Sequence, residues 1–233
     1  MQLKITAIIP CYNVEKYCRV VIEKTLDQCS FIVLIDDGST DQTSKILQEL
    51  QSLNSQKIHL ITFPQNQGKG IALLEGIKYA LSDTSFDALV TIDSDGQHLP
   101  SEIPKLVSCI QEGASVVIGS RDFTKIPFRR RLPNMLISFL LRRLYSHAPQ
   151  DTQSGYRAFN EKFSKKMVQE IYGNRYETEF RCLLIALRDK DTICERQIET
   201  IYLDKNRSSH FSPIRDSFLI LKVFFHHWRS KSI

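Results

Sequence analysis

The stretch ALVTIDSDGQH, residues 88–98, decides the fold that we predict for this chain. Its apolar half, 88–92, ends abruptly in Asp93, Asp95 and Gln97. A short apolar run with a polar end is typical of a buried strand in a parallel sheet, and ligands of such sheets bind outside the carboxyl ends of the strands. The two carboxylates are therefore expected at that edge, where both can contact one hard cation.

The same pattern recurs through the first 120 residues, where apolar runs alternate with segments of helical periodicity. The runs predicted to be strands are 5–9, 31–35, 58–63, 88–92 and 115–118. The segments predicted to be helices are 14–22, 41–53, 68–81 and 103–110. Alternation with short connections indicates an α/β fold, with a mostly parallel sheet and helices on both of its faces.

Polar motifs also follow the first two predicted strands. IPCYN, residues 9–13, places the flat ring of Tyr12 at the sheet edge. DDGSTD, residues 36–41, provides Asp37, whose carboxylate can accept hydrogen bonds from a base or a ribose hydroxyl. A turn followed by a helix cap is the structural alternative for each motif, and we expect Asp41 to be such a cap.

Two further motifs bring positive charge to the same edge. NQGKG, residues 66–70, opens a predicted helix, where backbone N–H groups and Lys69 can meet a phosphate. GSR, residues 119–121, follows the fifth predicted strand and delivers the guanidinium of Arg121. The structural alternative for NQGKG is an ordinary helix entry.

The pattern changes after residue 120. We predict a basic amphipathic helix over 129–147, a polar loop over 151–160 and a second helix over 176–188. A strand over 193–203 and a closing helix over 213–230 follow. No linker, internal repeat or low-complexity tract is evident, so 1–233 is interpreted as a single domain.

Composition is that of an ordinary globular protein, with 42% hydrophobic and 24% charged residues. The net charge of +5 is too small to indicate a nucleic-acid partner. Positive charge is nevertheless concentrated in 121–145, where Asp122 is the one acid. The basic residues there are Arg121, Lys125, Arg129, Arg130, Arg131, Arg142 and Arg143. Such a field suits phosphates or anionic lipid headgroups, and a solvated basic face is the alternative.

The six cysteines form no CxxC pair and have no zinc-like spacing. No run approaches the roughly 18 apolar residues of a membrane-spanning helix, and the N-terminal residues do not resemble a signal peptide. We therefore expect a cytoplasmic protein with reduced thiols.

Taken in order, these motifs resemble those of glycosyltransferase family 2 over nearly the whole chain. The matching stretches are IIPCYN, IDDGSTDQT, NQGKG, DSDGQH with Pro100, GSR and DTQSGYRAF. Within that family the chain looks most like the polyprenyl-phosphate hexose synthases, in a bacterial branch. The resemblance implies a GT-A fold, with a nucleotide-sugar-binding half in 1–120 and an acceptor half in 121–233.

The resemblance also implies roles for individual residues. Pro10, Tyr12 and Asp37 would bind the nucleotide, and Asp93, Ser94 and Asp95 would line the donor site. The ligands of the metal would be Asp93, Asp95 and Gln97. Arg121 would bind a phosphate. The metal would be Mg²⁺ or Mn²⁺, which take one or two protein carboxylates and complete their shell with water and substrate phosphates.

The acceptor side rests on 151–157, which resembles the acceptor loop of the family, and on the basic cluster Arg129, Arg130 and Arg131. These arginines are candidates for binding an acceptor phosphate bidentately. Asp151 and Glu179 are candidates for orienting groups or bases. The chain departs from the family pattern at Val14, where an acid is usual. It also lacks a clear match to the basic pair that the mannose synthases have late in the chain. Lys205, Arg207 and His210 are alternatives there for closing over the donor phosphates.

The predicted function is inverting transfer of a hexose from a UDP- or GDP-sugar to a polyprenyl phosphate. It is expected at the inner face of the cell membrane, with the protein bound peripherally through its closing helix, 213–228. Core packing is the alternative for that helix. A second hypothesis has the hydroxyl of a glycan or glycolipid as acceptor, which requires a base, Asp151 or Glu179. A third is a non-catalytic nucleotide-sugar-binding module.

Overall fold

The structure is a computed structural model that describes residues 3–124, 128–172, 177–199, 201 and 213–231. In the two helices 128–144 and 213–231, side chains are described for 131, 134–144 and 218–229. The predicted roles of Lys205, Arg207 and His210 lie outside these residues.

Seven strands form one sheet in the order β3-β2-β1-β4-β6-β5-β7. Their bounds are β1 Ile5–Cys11, β2 Phe31–Asp36, β3 Ile58–Thr62, β4 Ala88–Thr91, β5 Val116–Ser120, β6 Arg157–Phe159 and β7 Ile193–Gln197. All neighbouring strands are parallel except at β6, which runs antiparallel to both β4 and β5. The predicted, mostly parallel sheet is confirmed.

Eight α-helices connect or follow these strands in the described part of the chain. Their bounds are α1 Cys18–Leu26, α2 Thr43–Leu53, α3 Lys69–Asp83, α4 Ile103–Gln111, α5 Phe128–Leu144, α6 Glu161–Glu170, α7 Glu177–Arg188 and α8 Pro213–Lys231. Asp41 Oδ1 accepts a hydrogen bond of 2.9 Å from the backbone N–H of Thr43, but the N-cap position of α2 is Gln42, so the residue predicted as the cap lies one position earlier.

The prediction of a loop over 151–160 is wrong at its end, because β6 lies there. This strand of three residues is inserted between β4 and β5, with Ala158 opposite both Val90 and Val117. Three residues are too few to show a period-two pattern. Their conformation depends on pairing with strands that lie about 40 to 70 positions earlier in the chain.

The core consists of two apolar layers, one on each face of the sheet. Successive strand residues alternate between them, so that Ile8 belongs to one layer and Ile9 to the other. Helices α3, α5, α6, α7 and α8 cover the first layer, and α1, α2 and α4 cover the second. Helices on both faces of the sheet were predicted, and the structure has them.

Helix α8 buries Ile220, Val223 and Phe224 in the first layer but leaves Phe218 and Trp228 exposed. One face of this helix therefore packs on the domain, as the core-packing alternative has it, and another meets solvent, while its contact with a membrane remains a prediction. Among the described residues, no helix is long and apolar enough to cross a membrane.

Candidate active site

The polar motifs predicted to meet do so at the carboxyl edge of the sheet, beginning with the turn after β4. Ser94 Oγ donates a hydrogen bond of 2.7 Å to the carbonyl oxygen of Pro10 in β1, and Ser94 is only 4% exposed. This contact joins the DSD turn to the neighbouring strand. It therefore sets where Asp93 and Asp95 stand at the edge.

Asp95 and Gln97 form a compact pair within that turn. The backbone N–H of Gln97 donates to Asp95 Oδ1 at 3.0 Å, and Gln97 Nε2 donates to Asp95 Oδ2 at 2.7 Å. Burial raises the pKa of Asp95, and the negative charge of Asp93 raises it further. Two carboxylates crowded at a buried edge repel each other, and a cation between them would relieve that repulsion.

The donor set at this turn fits a hard divalent cation. Two carboxylates and an amide supply only oxygen ligands, which Mg²⁺ and Mn²⁺ prefer. Within the described residues, no group of three or more His, Cys, Asp or Glu side chains forms a complete protein cage. A site with two protein carboxylates leaves positions for substrate phosphates and water, as Mg²⁺ usually requires.

Lys69, the first residue of α3, lies between two carboxylates. Its Nζ is 2.6 Å from Asp93 Oδ1 and 2.8 Å from Glu179 Oε1 of α7. A Cβ added at Gly155 would come within 2.7 Å of Lys69 Nζ and 2.9 Å of Asp93 Oδ2, so a larger residue there would displace the ends of these two side chains. The role of Lys69 in binding a phosphate remains a prediction.

Arg121 and Asp151 form a bidentate ion pair beside the DSD turn. Arg121 Nε donates to Asp151 Oδ2 at 2.7 Å, and Nη2 donates to Oδ1 at 2.9 Å. Burial opposes ionisation of Asp151, but the charge and hydrogen bonds of Arg121 outweigh it and lower the pKa. An ionised carboxylate in a bidentate pair orients its arginine well and accepts a proton poorly, so the geometry favours a positioning role for Asp151.

Asp37 joins the turn after β2 to the loop that precedes α3. Its carboxylate accepts hydrogen bonds from the backbone N–H of Gln67 at 2.7 Å, from that of Gly68 at 2.9 Å and from Asn66 Nδ2 at 2.9 Å. Burial raises the pKa of Asp37, against the effect of those two N–H groups. Gly38, with φ of +68°, allows the close approach, since a Cβ there would lie 2.4 Å from the backbone of Gln65.

Tyr12 is half-buried directly after β1, at the same edge as Asp37. Asn13 beside it adopts a positive φ of 51°, and its Oδ1 accepts a hydrogen bond of 2.8 Å from the backbone N–H of Thr40. The ends of β1 and β2 are thus tied together. The predicted contacts of Pro10, Tyr12 and Asp37 with a nucleotide remain predictions.

The basic cluster Arg129-Arg130-Arg131 lies in the first turn of α5. Arg131 Nη1 donates a hydrogen bond of 3.3 Å to the carbonyl oxygen of Phe123, two residues after Arg121. The side chains of Arg129 and Arg130 lie outside the described part of the chain. Arg131 is therefore linked to the segment that carries Arg121, while binding of an acceptor phosphate remains a prediction.

Three residues that hold the acceptor loop were not anticipated from the sequence. Arg157 is only 1% exposed. Its guanidinium donates hydrogen bonds to the carbonyl oxygens of Thr152 at 3.1 Å, of Ser154 at 2.8 Å and of Glu179 at 2.6 Å. Glu195 of β7 accepts from the backbone N–H groups of 150 and 151. Asn134 of α5 accepts from the N–H and hydroxyl of Thr152. The sequence pattern around these three polar residues does not indicate which backbone groups of the acceptor loop they will contact.

His98 is a further buried polar residue of the site. It is 6% exposed and stacks on Tyr156, with ring centroids 5.0 Å apart. Burial lowers its pKa, against the charges of Asp93 and Asp95, which act to raise it. The sequence places His98 in the DSDGQH motif but does not indicate that its ring is buried and stacks on Tyr156.

Comparison with known proteins agrees with this geometry. The Glycosyl transferase family 2 model matches residues 6–171. The UDP-N-acetylglucosamine–dolichyl-phosphate N-acetylglucosaminyltransferase of Methanococcus voltae is 34% identical over 215 residues, which are 84% of this chain and 85% of that protein. The polyprenol monophosphomannose synthase of Mycolicibacterium smegmatis is 29% identical over 167 residues, 69% of this chain and 63% of that protein.

Among solved structures, glucosyl-3-phosphoglycerate synthase of Mycobacterium tuberculosis in complex with Mn²⁺, UDP and phosphoglyceric acid has a similar fold. The TM-score is 0.71 at 20% identity, and the match covers 97% of this chain and 78% of that one. The fold and the edge motifs define a glycosyltransferase of the GT-A type. The chain belongs to glycosyltransferase family 2.

Proposed function

We propose that this protein transfers a sugar from a nucleotide-sugar donor, a UDP- or GDP-sugar, to a polyprenyl phosphate, with inversion at the anomeric carbon. The observation that carries the proposal is the meeting of the Asp93–Asp95 pair and the Arg121–Asp151 pair at one edge of the sheet. Support for the acceptor comes from the names of two relatives, which act on dolichyl phosphate and polyprenol phosphate.

In this proposal, Asp93, Asp95 and Gln97 hold a Mg²⁺ or Mn²⁺ ion at the edge. When bound, the cation neutralises the charge that develops on the nucleoside diphosphate as the bond to the sugar breaks. Arg121, oriented by Asp151, donates hydrogen bonds to a donor phosphate.

A phosphate acceptor is already ionised at neutral pH, so no residue has to remove its proton. The protein instead positions the acceptor and balances its charge, and the cluster Arg129-Arg130-Arg131 is proposed for the second task. This agrees with an Asp151 that is paired and ionised. The hypothesis of a hydroxyl acceptor needs a base, and both candidates, Asp151 and Glu179, are engaged in ion pairs.

We further propose that the protein binds peripherally at the inner face of the cell membrane. Exposed apolar side chains on α5 and α8 support this, because they lie near exposed basic residues of the same helices. These side chains are Met135, Leu136 and Phe139 on α5 and Phe218, Phe225 and Trp228 on α8.

The test is a donor screen with purified protein, a short polyprenyl phosphate and mass detection of the product. UDP-N-acetylglucosamine is the first donor to try, followed by GDP-mannose and UDP-glucose. Formation of a glycosylated lipid phosphate is expected with one of them. Transfer to a neutral glycolipid alone would contradict the acceptor and support the hydroxyl hypothesis, whereas donor binding without metal-dependent hydrolysis or transfer would indicate a binding module.

A further inference from the structure

Lys69 places an ammonium group inside the predicted cation site. Its Nζ lies 2.6 Å from Asp93 Oδ1, and the Lys69 and Asp93 side chains are 16% and 26% exposed. Because the ammonium contacts an oxygen that a divalent cation would use, the two positive charges compete for Asp93. Two positive charges that contact the same carboxylate lie close together, and they repel each other strongly in a partly buried site.

Glu179 offers Lys69 a second acceptor, 2.8 Å from Nζ, and its side chain is only 7% exposed. The backbone of Glu179 is held independently of Lys69. Its carbonyl oxygen accepts a 2.6 Å hydrogen bond from Arg157, and it lies in the first turn of α7, where a carboxylate is favoured. The carboxylate itself is buried and has no hydrogen-bond partner among the described residues, so the ion pair with Lys69 is the contact that compensates its charge.

The surroundings allow a small movement of the ammonium between the two carboxylates. Lysine has a flexible stem, and Gly155 presents no side chain toward Nζ. A lysine at the first position of a helix also gains nothing from the helix dipole, so its charge depends on nearby carboxylates. Because the Lys69 side chain is only 16% exposed, loss of one carboxylate makes the other more important to its charge.

We propose that Lys69 is a displaceable counter-ion of the cation site, paired with both Asp93 and Glu179 when no divalent cation is bound and with Glu179 alone when Asp93 is a ligand. Lys69 and Glu179 are positioning residues in this scheme. The inference rests on the proposed function insofar as that function assigns a cation to Asp93. It adds that residues of α3 and α7 set the affinity for the cation.

The test measures Mn²⁺ binding to the protein without donor, from the EPR signal of free Mn²⁺. Lys69→Met should tighten binding about tenfold or more, because it removes the competing charge. Glu179→Gln should weaken Mn²⁺ binding about tenfold. Of the two carboxylates only Asp93 then remains to pair with Lys69, so the ammonium competes more strongly with the cation. Glu170→Gln is the matched control: Glu170 pairs with Arg188 at 2.6 Å, and this substitution should leave Mn²⁺ binding unchanged.

The double variant Lys69→Met/Glu179→Gln distinguishes displacement from a general electrostatic field. If Glu179 acts by receiving Lys69, its effect vanishes once Lys69 is gone, and the double variant binds Mn²⁺ within about twofold of Lys69→Met. The double variant also avoids leaving the buried Glu179 carboxylate without its cation, so it tests the competition if Lys69→Met alone does not fold. In that case it is compared with Glu179→Gln and should bind Mn²⁺ more tightly.

Three outcomes would overturn the inference. One is unchanged or weaker Mn²⁺ binding on loss of Lys69, and another is an effect of Glu179→Gln that is equal with and without Lys69. The third is an absence of Mn²⁺ binding in the parent and in every variant, which would contradict the cation site of the proposed function as well. Normal binding by the parent with no effect of Lys69 contradicts the inference alone.

Discussion

At the scale of single residues, two charged groups near the site, Asp37 and Arg157, are held largely by main-chain atoms. Asp37 accepts from two backbone N–H groups, and Arg157 donates to three backbone carbonyls. Removing such a group leaves buried donors or acceptors unsatisfied, at about 1–3 kcal/mol each. Substitutions here will therefore change stability as well as binding, and each test needs a control that separates the two effects.

The first prediction concerns the cation. Activity should disappear in chelator and return with Mg²⁺ or Mn²⁺. Asp95→Asn should lower the rate roughly a thousandfold, because it replaces a charged ligand with a neutral one at the group that stabilises the leaving charge. Asp87→Asn, at the opposite end of β4 where the carboxylate accepts from the N–H of Lys4, should retain activity. Full turnover in chelator would exclude a cation from the reaction.

The second prediction concerns the nucleotide. Asp37→Ala should weaken binding of the free nucleoside diphosphate as much as binding of the donor, because the predicted contact is with base or ribose. The melting temperature should also fall, since the three donors from residues 66–68 lose their acceptor.

Asp41→Ala is the control for this stability loss, as calorimetry can show. It removes the acceptor of the Thr43 N–H at the start of α2, which should cost about 1 kcal/mol, and should leave nucleotide binding intact. Unchanged binding of the diphosphate to Asp37→Ala would place the nucleotide pocket elsewhere and leave Asp37 as a purely structural link.

At the scale of elements, the acceptor loop is held by its neighbours on three sides. Asn134 of α5, Glu195 of β7 and Arg157 of β6 all bond to the backbone of 150–154. Helix α5 thus carries the basic cluster at its start and a loop anchor in its second turn. A change in α5 can therefore reach the Arg121–Asp151 pair through that loop.

The third prediction concerns this helix. Replacing Arg129, Arg130 and Arg131 with Ala should raise the apparent KM for polyprenyl phosphate at least about tenfold, because charged hydrogen bonds contribute about 1.5–3 kcal/mol each. Donor affinity should hardly change, since Arg121 is assigned to the donor. The measurement is acceptor kinetics at saturating donor.

Arg142 and Arg143, both exposed in the last turn of the same helix, provide the control, and their replacement with Ala should leave this KM unaltered. An unchanged KM in the triple variant would remove the cluster from the acceptor site. If the parent rejects lipid phosphate but accepts a neutral glycolipid, the hydroxyl hypothesis is the one to pursue.

At the scale of the whole molecule, the two apolar layers leave a further apolar surface outside them. On α8, the exposed Phe218 and Phe225 alternate with the exposed Lys222 and Arg229 along one face of the helix. The opposite face is packed against the domain. Aromatic and basic side chains on one exposed helical face are typical of a membrane interface.

The fourth prediction follows from that face, and Trp228, the single tryptophan, reports on it. Its fluorescence should shift to the blue with vesicles containing anionic lipid. The shift should weaken in high salt, because basic residues near the surface contribute only about 1 kcal/mol each and are screened. Replacing Phe218 and Phe225 with Ala should reduce binding in sedimentation, whereas Leu53→Ala, an exposed apolar control on α2, should not. Equal binding by the parent and the double variant would exclude α8 as the contact.

The parallel strands, the helices between them and the polar motifs at their ends could all be predicted from the amino-acid sequence. Each of these depends on a local pattern, because apolar periodicity and a polar strand end are written within some ten consecutive residues. Their meeting at one edge then follows from the geometry of parallel strands. The placement of Asp93, Asp95 and Arg121 at one edge could therefore be expected.

Tertiary contacts alone account for the insertion of β6, the buried Arg157 and the ion pair between Lys69 and Glu179. These features join segments that lie far apart in the chain, and no local pattern records which distant partner a polar residue will find. The acceptor loop shows this most clearly, since the polar stretch 151–160 forms a strand at 157–159, where it pairs with both β4 and β5. The physical reason is that pairing and burial, rather than local propensity, set the conformation of so short a segment.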